Sequence, residues 1–202
     1  MESLNEKKGR QLRRKKNDLN ENLFLAAKAE IIEHGFETVT VMNIVKRAKV
    51  QANVFYNRYE NLYDLFDKLI RHYDYWLEDN IKFNGDNSAE KLCSATNALI
   101  DSLYEDPFLQ KLLIWEISND NFLTRRTSSK RKLFWNYSLE QKCGLSNYNS
   151  TEIKKKYTLI IGGIYYHFIC NKSDSPINKS FYSKDDIVDL KSYVKVLISK
   201  LF

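Results

Sequence analysis

"AKVQANVFYNRYENLYDLF", residues 48–66, places five aromatic rings and one arginine in nineteen positions with no glycine or proline. A stretch without chain breakers reads as helix, and helical spacing sorts its first half into two sets. Val54, Phe55 and Tyr59 fall on an inward side; Gln51, Asn53, Tyr56, Asn57 and Arg58 fall on the outward one. The spacing predicts a short helix from Gln51 to Tyr59. Periodicity alone leaves two readings of its outer row: a solvated face beside half-buried tyrosines, or a face that hydrogen-bonds a partner.

The flanking sequence narrows the choice. Upstream, "NENLFLAAKAEIIEHGF" sets Leu23, Ala27 and Ile31 four apart and ends at Gly35, where a helix commonly stops, giving a first helix of about four turns. Thr40 then caps a helix of about two turns with Val41, Ile44, Val45 and Ala48 as its buried stripe. Only Lys49 and Val50 separate it from the quoted helix. Two short helices joined by a tight turn, the second carrying amides outward, outline a helix-turn-helix, whose second helix enters the DNA major groove.

The side chains suit that placement. Gln51, Asn53 and Asn57 offer paired donor and acceptor atoms to a base edge, while Arg58 and the Tyr56 hydroxyl suit phosphate, or guanine in the case of arginine. Thr40 sits where helix amides point outward and suits a phosphate oxygen. With Ala52 among them, Thr40, Gln51, Ala52, Asn53, Tyr56, Asn57 and Arg58 are the candidate DNA contacts.

The charge distribution is consistent with a polyanionic partner. Of the 202 residues, 32 are Lys or Arg and 26 Asp or Glu, a net +6, and residues 1–60 hold 12 of the former against 8 of the latter. Seven of ten residues in "KKGRQLRRKK", Lys7 to Lys16, are basic. So dense a charge resists packing and reads as a basic arm over residues 1–19, either solubilising or gripping phosphates. Residues 20–66 are then the DNA-binding domain and 67–202 a helical remainder.

In that remainder Asn61 caps a fourth helix, in which Leu62, Leu65, Phe66, Leu69, Tyr73, Trp76 and Leu77 repeat at three- and four-residue intervals as far as about Ile81. Further helices are expected at about 88–105, 107–118, 121–143, 151–171 and 183–201, with Pro107 opening the second of these and loops at "LSNYNS" and "NKSDSPINKS". The fold class is therefore all-α. The longest greasy run, "LIIGGIYYHFIC", is too short to span a bilayer, and no membrane partner is expected. Three cysteines without a paired motif fit a reducing compartment, and the expected location is the cytoplasm. No phosphate loop, nucleophile elbow or zinc spacing occurs, so neither catalytic residues nor a metal or cofactor is expected.

"AAKAEIIEHGFETVTVMNIVKRAKVQANVFYNRYENLYDLF" resembles the amino-terminal signature of the tetracycline-repressor-like (TetR) regulators, through Ala26, Ala27, Gly35, Phe36, Thr40, Ile44, Ala48, Val50, Tyr56 and Leu65. It departs from that pattern at Lys49, where glycine is usual, at Asn53, where a small residue is usual, and at Tyr59, where phenylalanine is usual. Leu62 stands where a phosphate-contacting lysine commonly opens the fourth helix, so that contact is not carried over. The resemblance implies a ligand-responsive transcriptional regulator, a repressor acting on double-stranded DNA. It also implies a homodimer reading a near-palindrome, with the last two long helices pairing and the remainder binding an unidentified small-molecule effector.

Gly162 and Gly163, in one of those two helices, lower its intrinsic helix propensity and fit either a close backbone approach or a kink. For the effector, Trp115 with Glu116 and Tyr166 with His167 are the candidates, because they set polar groups beside apolar runs. Readings from other classes are an all-α enzyme whose acid and base come from distant helices, and a helical interaction module with a basic arm.

Overall fold

The computed structural model describes residues 4–71, 73–146, 150–169 and 183–202, with the backbone alone over 4–18 and at Ser150. Among them the elements are α1 (Leu4–His34), α2 (Val41–Arg47), α3 (Ala52–Tyr56), α4 (Leu62–Arg71), α5 (Trp76–Asn80), α6 (Ser88–Glu105), α7 (Pro107–Ser118), α8 (Phe122–Tyr137), a π-helical turn (Ser138–Lys142), α9 (Ser150–Ile169) and α10 (Lys184–Ser199). The protein is all-α, with no strand among the described residues. No helix among them is long and apolar enough to cross a membrane. Cys170 and the loop read over 171–180 lie outside the described residues.

The chain forms two compact units, residues 1–72 and 73–202. In the first, Leu23, Ala27 and Ile31 of α1 are fully buried, as their four-residue spacing requires, and meet Ile44, Phe55, Leu65 and Ile70 in one core. Phe36 closes that core edge-on to Phe66 at 5.1 Å between ring centroids. Helix α1 does not begin at Asn20. It starts at Leu4, so the basic stretch continues the helix. Arg, Lys, Gln and Leu are good helix formers, and their propensity outweighs the charge repulsion there.

The turn between α2 and α3 is tight. The Val50 amide donates to the Val45 carbonyl at 3.0 Å, and Lys49 adopts a left-handed backbone with φ of 54°. An L-residue with a β-carbon is strained in that region, and glycine is not. Lys49→Gly is therefore expected to stabilise the first unit by about 0.5–1 kcal/mol, net of the extra freedom glycine has when unfolded. Urea unfolding of the two proteins checks this; an unchanged midpoint would mean the turn is unstrained.

Two helices are shorter than their periodicity implies. Helix α3 ends at Tyr56 and a turn carries Asn57 and Arg58, while Tyr59 still turns inward and is buried. The fourth helix is not continuous to Ile81: a turn over residues 73–75 separates α4 from α5. That turn directs Tyr73 to Asp106, where its hydroxyl donates at 2.8 Å, and Asp74 to Lys130, whose ammonium donates at 3.0 Å. A straight helix chosen by the apolar stripe would forgo both contacts. Asn61 does cap α4, its side-chain oxygen accepting from the Asp64 amide at 3.0 Å.

In the second unit α6 is buried through Leu92, Ala95, Thr96, Leu99, Ile100 and Leu103. Its one buried hydroxyl is satisfied: Thr96 donates to the Leu92 carbonyl and meets the Tyr157 hydroxyl at 2.9 Å. Burial pushes the Tyr157 phenol well above its ordinary value. Pro107 opens α7 behind an Asp106 cap, and α8 is followed by the π-helical turn where one continuous helix was expected. On α9, Gly162 and Gly163 are exposed, and a β-carbon at either position would meet nothing within 4 Å. No close approach among the described residues requires glycine there.

Candidate nucleic-acid interface

The first unit displays its polar row by fixing everything behind it. Thr40 is the N-cap of α2, its hydroxyl accepting from the Asn43 amide at 3.2 Å. At the other end of α2, Arg47 is clamped to α1: Nε donates to Glu30 at 2.5 Å and Nη1 to Glu33 at 2.8 Å. The two carboxylates hold the guanidinium fully charged, and Arg47 in turn lowers the Glu33 carboxyl. Phe55 anchors α3, fully buried with its ring 5.4 Å from Tyr56 and 5.2 Å from Tyr59.

With Phe55 inward, the opposite side of α3 carries Gln51, Asn53, Tyr56 and Asn57, all exposed, Tyr56 to 59 %. Gln51 occupies the N-cap position of α3 without a side-chain capping bond, so its amide stays available. Ala52 is half-buried and supplies little beyond a small methyl. Thr40 lies exposed beside this row at the start of α2. Paired amides and a phenol on a short rigid helix are what base edges and phosphates take.

Arg58 is different. Its Nε donates to the Asn20 side-chain oxygen at 2.9 Å and its Nη1 to the Val54 carbonyl at 2.8 Å. These bonds turn the guanidinium back onto α1 and α3, so Arg58 braces α3 and does not stand in the outward row. The turn over Asn57 and Arg58 is the cause: helical spacing continued through Arg58 places it outside, whereas the chain has already left the helix. Sequence reasoning also missed the clamp of Glu30, Glu33 and Arg47. Glu30 sits between Ala27 and Ile31 on the buried stripe, which was its signal.

The four effector candidates stand on two helices, α7 and α9. Trp115 is buried core on α7, and the adjacent Glu116 pairs with the guanidinium of Arg131 on α8, both side chains nearly closed off from water. Tyr166 is half-exposed on α9, and burial lowers the neighbouring His167 imidazole while Asp186 pulls it the other way. Arg131 was overlooked in the sequence, although Thr124, Thr127, Arg131 and Phe134 repeat at helical spacing and all four are buried. Burial brings the Arg131 guanidinium down to about 10, leaving it charged at neutral pH.

Residues 23–69 match the family described as bacterial regulatory proteins, tetR family. No curated protein sequence matches the chain. Among solved structures, the fatty acid degradation regulator FadR of Bacillus halodurans superposes with a TM-score of 0.62 at 21% identity, covering 91% of this chain and 94% of that one. The Bacillus subtilis FadR, solved in complex with stearoyl-CoA, gives 0.61 at 19% identity over 90% and 98%. A TetR-family regulator of Streptomyces coelicolor A3 gives 0.62 at 16% identity over 87% and 88%. The fold of these solved structures thus extends over most of the chain, and residues 23–69 carry the match to the tetR family of bacterial regulatory proteins.

Proposed function

We propose that the protein is a ligand-responsive transcriptional regulator, a repressor that binds a near-palindromic operator as a homodimer and releases it when a small molecule occupies the second unit. The observation that carries this reading is the outward row of Gln51, Asn53, Tyr56 and Asn57 on a helix pinned by Phe55, Arg58 and the Arg47 clamp. Support for a dimer comes from the last two helices. Leu159, Tyr166, Tyr193, Val196 and Leu197 are large and at least half exposed, and the two open glycines on α9 leave room for another backbone. A structural neighbour solved with stearoyl-CoA supports a small-molecule effector. Release follows from linkage: an effector that prefers the dimer conformation unsuited to the operator lowers DNA affinity by the same factor that DNA lowers its own.

The test is selection of bound duplexes from a random pool, followed by titration of the selected duplex. The expected product is two half-sites about one helical turn apart or a multiple of that, bound by two chains. Asn57→Ala and Tyr56→Ala are each expected to weaken the selected duplex about tenfold or more, with thermal unfolding unchanged. Affinity should also fall steeply with salt, because phosphate contacts release counterions. A pool that yields no preferred sequence, or variants that bind as tightly as the parent, would reject the reading.

A further inference from the structure

A groove of about 580 Å³ runs beside α8 in the second unit, its apolar surface formed by Leu77, Leu133, Phe134 and Tyr137. Leu133 and Tyr137 lie one helical turn apart, yet they are 68 % and 62 % exposed. Large apolar side chains held side by side in water mark a surface that another apolar body covers.

The polar groups of the groove say what that body carries. At one end Lys142 holds its ammonium 5.1 Å from the Phe83 ring centroid and 5.6 Å from that of Phe134. Rings hold this cation; no described residue pairs with it as a carboxylate. At the other end Asp74, its side chain only 5 % exposed, meets Lys130 at 3.0 Å and Arg126 at 3.6 Å, two cations against one anion. Asp74 Oδ1 is buried with no hydrogen-bond partner among the described residues, an acceptor for a hydroxyl or amide. Asp74 is offset by its cations, and Glu78, on the exposed rim, opposes an incoming anion but is screened by water. The positive charge without a carboxylate partner lies at the Lys142 end of the apolar floor.

We infer that this groove binds an amphiphile, an unbranched apolar chain with an anionic head: the chain lies over Leu77, Leu133, Phe134 and Tyr137 and the anion sits on Lys142. From Leu133 to Lys142 is nine residues, about 13 Å at ~1.5 Å per residue, which suits a chain of medium length. The site differs from the quartet of Trp115, Glu116, Tyr166 and His167, none of which lines it. The inference deepens the effector reading above and rests on it.

The test uses the full chain and equilibrium dialysis at probe concentrations below micelle formation. The probes are dodecanoate, dodecyl phosphate and dodecyltrimethylammonium; the first two separate a carboxylate head from a phosphate one. Either anion is expected to bind with one site per chain, and the cation at least tenfold more weakly. Leu133→Asp and Lys142→Glu alter exposed positions and are expected to keep the parent's thermal unfolding. Each should weaken the anions tenfold or more, and Lys142→Glu should in addition strengthen the cation. Equal binding of cation and anion by the parent, or anion binding untouched by Lys142→Glu, overturns the inference. Release of the selected duplex is read on the same samples. Release by a compound that ignores both substitutions would sink this site while leaving the regulator reading intact; tight anion binding without release would overturn the groove as the effector site, and failure of the duplex selection is what would sink the regulator reading.

Discussion

Phe55→Ala is expected to unfold the helix-turn-helix half of the first unit, at a cost of about 3–5 kcal/mol, because the ring is fully buried and its neighbours cannot close the cavity. Phe55 is the only fully buried side chain of α3, a helix of five residues, and its ring is that helix's main anchor in the core. Short helices have little stability of their own, and removing the anchor frees the whole polar row. Hydrogen exchange on the intact chain checks it. Protection should collapse over α2 and α3 while α6 keeps its own, and Phe55→Leu should cost far less. If Phe55→Ala leaves the α2 amides as protected as before, α3 is held by something other than this ring.

Glu116→Ala is expected to destabilise the second unit by about 3–5 kcal/mol, since it leaves the buried Arg131 guanidinium without its partner. The charge cannot be shed cheaply, because even after burial the guanidinium titrates only at about 10. Removing both charges is a different matter. A Glu116→Leu, Arg131→Met double variant no longer pays the desolvation of two ions and is expected to recover most or all of the loss. Urea unfolding of the single and double variants decides the point: a single variant as stable as the parent would show that Arg131 reaches water or another carboxylate. The pair joins α7 to α8, and Lys130, the residue before Arg131, holds Asp74 in the same unit. Substitutions at this pair are therefore also expected to disturb the neighbouring groove.

The helix-turn-helix was legible in residues 40–66 because its contrast is local: Phe55 between outward amides, and Thr40 before a two-turn apolar stripe, are patterns of spacing and capping. The same logic located α6, α7, α9 and α10 to within a few residues. It failed where a single side chain's destination outweighs periodicity. Arg58 sits at outward spacing yet turns to Asn20, thirty-eight residues earlier in the chain. Leu62 through Leu77 kept a helical stripe across a turn that Tyr73 and Asp74 impose. The effector candidates were chosen as polar residues beside apolar runs, and that criterion cannot distinguish Glu116, committed to Arg131, from a group free to meet a ligand.

By itself the sequence determined that the protein is all-α, that a helix-turn-helix occupies its front, and that Gln51, Asn53, Tyr56 and Asn57 form a polar row on it. Those are consequences of propensity, capping and spacing, which act over a few residues. Only the tertiary structure decided that Arg58 braces α3, that Arg47 locks α2 to α1, and that a groove with two lysines in its lining opens beside α8. Each of these depends on which distant side chain a charged group meets, and burial, not sequence distance, sets the strength of that encounter.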